Sequence, residues 1–255
     1  MYLCTENSNI ILFMGLFTRT AADGRELGTY ESRLLDRAEV PVGVNEISAS
    51  RYNLIMGATV AYGLIMNVIM VLFLTPHVIN FFLQSPKMIY AFFIGYFIFA
   101  IAGAVIANKS DKPFISFLGY NLIVLPVGIL LCLVIPGFPM FIVAKAMALT
   151  AFVTLFMMGL GTAFPNLFLS MGRTLGISLI VTLVIEVLSV MIFGYSGTFF
   201  DIIFVLIFSL YIAYDIARSQ AYAHTVDNAV DSAVDIYLDI INLFLRILAI
   251  LGKKD

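Results

Sequence analysis

The sequence predicts an all-α polytopic membrane protein, a seven-helix bundle with the last helix central among the other six. Of its 255 residues, 62% are hydrophobic and only 12% are charged, and the mean hydropathy is +1.03. A soluble domain carries about 25% charged residues, so this composition indicates a chain embedded in a bilayer. The last apolar run also contains Asp235 and Asp239, and intramembrane carboxylates favour a shielded position inside a bundle.

Seven apolar runs are long enough to cross about 30 Å of hydrocarbon as helices that rise 1.5 Å per residue. The predicted spans are 53–75, 88–107, 114–135, 139–163, 170–193, 198–215 and 232–251. Clusters rich in Pro, Gly, Asn or charge separate them, beginning with Thr75-Pro76-His77. Pro126 falls within the third span, which a bundle tolerates. The last segment is either a seventh crossing or a re-entrant helix.

The predicted organisation is a polar N-terminal tail, residues 1–51, followed by a membrane domain, residues 52–255. With the N-terminus inside, nine basic residues of the tail and loops lie on the inner side and three on the outer side. Because inner loops carry the excess of Lys and Arg, the N-terminus is expected in the cytoplasm. The apolar run Asn9–Phe17 is too short to span. It is either an interfacial helix or part of a poorly ordered tail.

Several classes of function are disfavoured by composition. The net charge is −2 and no block of Lys and Arg is present, so a nucleic-acid partner is not expected. Cys4 and Cys132 are far apart and form neither a disulfide framework nor a CxxC motif. We therefore expect no cofactor, and the predicted partners are the lipid bilayer and small cations.

Four acids, Asp227, Asp231, Asp235 and Asp239, recur at intervals of four and would lie along one side of a helix. Asp227 and Asp231 are expected at a solvated helix entrance, where acids are favourable. Asp235 and Asp239 lie deeper, where carboxylate oxygens suit a cation path. Asp239 is the strongest functional candidate of the four.

Asp215, at the end of the sixth span, is the predicted partner of Asp239. A loop of about sixteen residues lets the last segment turn back, so the two acids can meet below the inner surface. Two neighbouring carboxylates in a low dielectric cannot both ionise cheaply, so they share a proton. Such a pair would sense pH.

Three other polar residues in the spans are candidates for an ion path or for structural roles. Glu186 could line an ion path, but a structural ion pair with Lys145 is the favoured interpretation. Asn242, close behind Asp239, is a further candidate for the path. Arg246 lies two turns beyond Asp239 and can extend outward; pointing into the path, it would repel Ca²⁺.

Two strings carry a family resemblance: Phe208-Ser-Leu-Tyr-Ile-Ala-Tyr-Asp215 and Ile236-Tyr-Leu-Asp-Ile-Ile-Asn-Leu-Phe-Leu245. They resemble the Bax inhibitor-1 family (transmembrane BAX inhibitor motif proteins), from about Arg51 to the end of the chain. The resemblance implies a seven-helix fold with a central last helix and a pH-sensitive calcium leak. The expected small-cation partners are therefore Ca²⁺ and H⁺, and Asp215 and Asp239 are expected to bind Ca²⁺ transiently. The resemblance also implies that Asp215 and Asp239 share a hydrogen bond that closes the pore near the cytoplasmic side. Lys109 matches the place of a basic latch in the family, although Lys lacks the planar fork of Arg.

Three other functions compete with a leak in a bacterial cytoplasmic membrane. An intramembrane aspartyl protease needs a GxGD motif, and the nearest match, Gly159-Leu-Gly-Thr162, has no carboxylate, so an enzyme is not expected. A proton-coupled calcium exchanger could use the same pair of aspartates. A non-conducting scaffold that regulates other membrane proteins would use the pair as a clasp. The sequence leaves the last two alternatives open.

Overall fold

A computed structural model describes residues 19–20, 26–27, 37–38, 40, 44–85, 87–110, 112–194 and 197–253. These residues form eight α-helices: α1 Ala49–Gln84, α2 Met88–Lys109, α3 Pro113–Val134, α4 Met140–Ala163, α5 Pro165–Leu169, α6 Gly172–Phe193, α7 Thr198–Ala221 and α8 Val226–Gly252. A 3-10 turn, Ile135–Gly137, follows α3. In the tail, β1 (Arg19–Thr20) pairs with β2 (Glu26–Leu27) in antiparallel orientation. The predicted all-α polytopic membrane fold is confirmed, whereas the Asn9–Phe17 run lies outside the described residues.

The prediction of seven helices is wrong in two respects. The five-residue helix α5 occupies the weakly polar connection between the fourth and fifth predicted spans. Among the described residues, six helices are long and apolar enough to cross a membrane: α1, α2, α3, α4, α6 and α7. Helix α8 is not one of them, because four acids and Arg246 interrupt its apolar surface.

Helix α1 is much longer than the predicted span 53–75. It continues through the supposed separator Thr75-Pro76-His77 and ends at Gln84. Proline removes one backbone hydrogen bond, but a helix within a bundle can accommodate that loss. The Thr75 hydroxyl donates to the Val71 carbonyl at 2.6 Å in the turn before Pro76. The first break in the helical chain after Ala49 therefore follows Gln84, and α2 begins at Met88.

Helix α8 forms the centre of the bundle. Its N-cap is Thr225, whose side chain accepts a hydrogen bond from the Asn228 N–H at 3.1 Å, as helix starts require. Of its 27 residues, 17 are buried, and it packs against α7, α1, α4, α3 and α2. Helix α6 packs chiefly on α7. The sequence prediction that the other helices shield the acidic last segment agrees with this arrangement.

Buried polar contacts fix the axial position of α8 relative to α1 and α3. The Tyr237 hydroxyl donates to Asn67 Oδ1 at 2.6 Å, and Asn67 Nδ2 donates to the Val124 carbonyl at 3.0 Å. The Tyr120 hydroxyl donates to the Thr59 carbonyl at 3.0 Å, and its ring packs edge-on against Tyr237. Because a buried polar group that loses its partner is costly, these contacts oppose sliding of α8.

Close packing of α2 on α3 depends on glycine. A Cβ atom on Gly119 would lie 2.7 Å from the Gly103 carbonyl oxygen and 2.9 Å from the Ala107 nitrogen. Gly103 and Ala107 therefore lie at a tight crossing of two helices, where small residues let backbones approach closely. Gly172 and Gly176 face the side chains of Tyr214 and Tyr211 on α7.

Replacing Gly119 with Ala is expected to destabilise the protein by about 1–3 kcal/mol. Both atoms that the new methyl group would meet belong to the backbone, so α2 and α3 must separate. Thermal unfolding in detergent measures the effect. Gly159→Ala on α4 is the matched control, because its Cβ would meet no atom within 4 Å. Equal stability of the two variants would contradict the tight crossing.

Candidate functional site

The two aspartates singled out in the sequence come together between α7 and α8. Asp215 and Asp239 are both buried, and their carboxyl groups lie within hydrogen-bonding reach of each other. Asp239 Oδ2 has no hydrogen-bond donor among the described residues. Two acceptor groups in contact need a proton between them to form a hydrogen bond. The geometry therefore suits a pair of carboxyls that shares one proton.

Arg218 holds this pair from one side. Its guanidinium forms an ion pair with Asp215 Oδ1 at 2.9 Å and donates a hydrogen bond to Asp235 Oδ2. The rings of Tyr214 and Tyr222 lie 5.2 and 5.9 Å from the guanidinium carbon, a distance at which aromatic faces attract cations. Because Asp215 is on α7 and Asp235 is on α8, Arg218 links these two helices beside the pair.

The first two acids of α8 are not at a solvated entrance, and that prediction is wrong. Asp227 and Asp231 are 7% and 3% exposed. The Ser116 hydroxyl of α3 donates to Asp227 Oδ1 at 2.7 Å. Arg37, from the N-terminal tail, contacts Asp231 Oδ2 at 2.8 Å. Tertiary partners from distant parts of the chain therefore cover both carboxylates.

Asn242 and Lys109, two further candidates from the sequence, have no described contact with the Asp215–Asp239 pair. Asn242 is half-buried, and its amide donates to the Leu238 carbonyl of its own helix at 2.8 Å. Lys109 is the last residue of α2, but its side chain lies outside the described residues, so its role as a latch stays a prediction. Within the described ranges, no group of three or more His, Cys, Asp or Glu side chains is arranged to hold a metal ion.

Glu186 belongs to a second ionic cluster near the other end of α8. Arg246 donates to both of its carboxylate oxygens, at 2.8 and 3.0 Å, and to Asp201 Oδ1 at 2.9 Å. Lys253 contacts Asp201 Oδ2 at 2.9 Å. The predicted pair of Glu186 with Lys145 is therefore wrong: the Lys145 ammonium lies 5.3 Å from the Phe141 ring centroid.

The sequence does not identify the cations that contact the acids, namely Arg37, Arg218, Arg246 and Lys253. In the sequence, Arg37 and Arg218 contribute only to the excess of basic residues on the inner side, and Arg246 is predicted either to extend outward or to point into the path. The spacing of Asp215 and Arg218, three residues apart on one helix, is a local signal that could have identified their ion pair. No local signal connects Arg37 with Asp231, because the two are distant in sequence.

Comparison with known families agrees with this geometry. The family model described as "Inhibitor of apoptosis-promoting Bax1" matches residues 45–255. No curated protein and no solved structure was found to match the chain. The match covers all the helices and both aspartates of the pair. With its central, acid-bearing last helix, the chain therefore belongs to the Bax inhibitor-1 family of integral multi-pass membrane proteins.

Proposed function

We propose that this protein is a pH-sensitive calcium leak channel gated by the Asp215–Asp239 pair. The observation that supports this function is the contact of two buried carboxyls, one on each of two packed helices. Carboxylate oxygens are the ligands that Ca²⁺ prefers, so the separated pair would bind the ion transiently as it passes. Ca²⁺ is the transported ion, and the proposal includes neither a resident cofactor nor catalysis. We also propose that the N-terminus lies in the cytoplasm of a bacterial cell.

Proton binding would control the gate through Arg218. With one shared proton, the pair carries a single negative charge that Arg218 partly neutralises at 2.9 Å from Asp215. A second proton removes that charge and the Coulomb attraction to Arg218. Because Arg218 is on α7 and also attracts Asp239 on α8, loss of the charge on the pair weakens the attraction between these two helices. We therefore expect the flux to rise as the pH falls.

The test is Ca²⁺ flux into proteoliposomes from pH 6 to pH 8, with equal pH on both sides. Asp215→Asn and Asp239→Asn should each abolish the pH dependence, because neither variant can hold two titrating carboxyls in contact. Asp227→Asn is the matched control: its amide oxygen can still accept from Ser116, and the pair is intact. Its flux should keep the pH dependence of the unmodified protein.

Three outcomes would change the proposal. If none of the proteins moves Ca²⁺ at any pH, the leak is excluded and a scaffold role takes its place. If flux at fixed internal pH follows an imposed pH gradient, the protein is a proton-coupled exchanger. If Asp239→Asn keeps the full pH dependence, the pair is not the sensor.

A further inference from the structure

Arg37 precedes the residues matched by the family, 45–255, yet it lies on the turn between α7 and α8. This turn, Tyr222–Thr225, stands at the end of the bundle where α1 begins. The Arg37 guanidinium contacts Asp231 Oδ2 at 2.8 Å, and its central carbon lies 5.3 Å from the centroid of the Tyr222 ring. A carboxylate and an aromatic face therefore both contact the same guanidinium.

Backbone contacts hold the same stretch in place. The Ala223 N–H donates to the Arg37 carbonyl at 2.8 Å, and the Asn228 amide donates to it at 3.4 Å. Nearby, the Ile47 N–H donates to the His224 carbonyl at 2.8 Å. The His224 ring stacks on Tyr52 of α1 with centroids 4.7 Å apart. Arg37 is thus seated by its main chain as well as by its side chain.

The chemistry of the site favours guanidinium over ammonium. A guanidinium is planar and weakly hydrated, so it can stack on an aromatic ring while it donates to a carboxylate. Asp231 is 3% exposed and has Asp227 and Asp235 one turn away on either side. Because like charges that close repel one another, Arg37 is the cation that favours the ionised form of Asp231.

We propose that the α7–α8 turn and the first two turns of α8 form a guanidinium-binding site that Arg37 occupies. This occupancy covers the acidic side of α8 at the end of the bundle where α1 begins. Arg37 is therefore an autoinhibitory plug over the row of acids that leads to Asp239. The binding site stands on its own contacts, whereas the inhibitory role rests on the proposed leak.

Thiol labelling tests the binding site without measuring transport. Cys4 and Cys132 are replaced by serine, and Ala223, which is buried at 5% exposure, is replaced by cysteine. Reaction with a water-soluble maleimide should be several-fold faster when Arg37→Ala is added. Methylguanidinium should slow it again, and methylammonium should not. Arg37→Lys should give an intermediate rate, because it keeps the charge but loses the planar fork.

Arg51→Ala is the matched control, since Arg51 is an exposed arginine near the start of α1. Its labelling rate should equal that of the unmodified background. If Arg37→Ala labels at the same rate as Arg51→Ala, the guanidinium site is refuted. The same holds if methylammonium protects the thiol as well as methylguanidinium does.

Ca²⁺ flux in proteoliposomes then tests the plug. Arg37→Ala should raise flux several-fold, and methylguanidinium should lower it towards the level of the unmodified protein. If the labelling responds as expected but no protein moves Ca²⁺, the guanidinium site stands and the leak function fails. If the unmodified protein conducts and Arg37→Ala leaves its flux unchanged, the plug is refuted while the leak remains.

Discussion

Replacing Arg218 with Met is expected to raise Ca²⁺ flux about a hundredfold at neutral pH. Arg218 contacts Asp215 at 2.9 Å and also contacts Asp235, so its loss removes the cation that joins α7 to α8. Breaking a buried ion pair costs about 3–5 kcal/mol. The Arg218 and Asp235 side chains are 21% and 35% exposed, so we expect a cost near the lower end of this range. Since each 1.4 kcal/mol is a factor of ten, about 3 kcal/mol shifts a closed–open equilibrium roughly a hundredfold.

The measurement compares three variants in proteoliposomes at one pH, with thermal unfolding in detergent as a second readout. Arg173→Met is the matched control, because Arg173 is exposed at the start of α6 and the substitution removes the same charge. Adding Asp215→Asn to Arg218→Met should restore much of the lost thermal stability, because the uncompensated carboxylate is removed. The role of Arg218 in joining α7 to α8 is contradicted if Arg218→Met matches Arg173→Met in both flux and unfolding temperature.

The sequence predicts the helices well because membrane spans have a strong compositional signal. The sequence-based predictions fail where the tertiary surroundings of a residue override its usual structural preference. Pro76 normally suggests a helix end, but within α1 it lies inside one continuous helix. The five charged residues of α8 would interrupt a lipid-facing span, yet inside the bundle each of them contacts a polar or charged side chain. Neither outcome can be determined from local composition.

The candidate site, like the fold, is only partly predictable from the sequence. Asp215 and Asp239 are identifiable because an intramembrane acid is expensive and therefore signals a use. The cations that pair with the acids are harder to identify, since an arginine in a tail or loop usually only helps to set the orientation of the helices across the membrane. Arg37 reaches Asp231 only because it lies against the α7–α8 turn. Predicting that contact requires the fold, and the fold cannot be derived from residue spacing alone.

Replacing Arg246 with Met is expected to destabilise the bundle by about 3 kcal/mol, the lower end of the effect of breaking a buried ion pair, because the Arg246 side chain is 26% exposed. Arg246 donates to both oxygens of Glu186 on α6 and to Asp201 on α7. Its guanidinium carbon also lies 4.0 Å from the centroid of the Phe204 ring. One side chain thus joins three helices, and α6 otherwise packs chiefly on α7.

The geometry of this cluster makes the prediction specific to arginine. Arg246→Lys should recover only part of the stability, because an ammonium cannot donate two parallel bonds to Glu186. Adding Glu186→Gln to Arg246→Met should recover more of the lost stability than Arg246→Lys does, since the double variant removes one of the two carboxylates that Arg246 contacts. Chemical denaturation in mixed micelles measures all three variants, with Lys145→Met as the control for losing a cation within a span. If Arg246→Met unfolds at the same denaturant concentration as Lys145→Met, the cluster does not hold the helices together. If Lys restores full stability, attraction between charges suffices, and the paired hydrogen bonds to Glu186 add nothing to the attachment of α6.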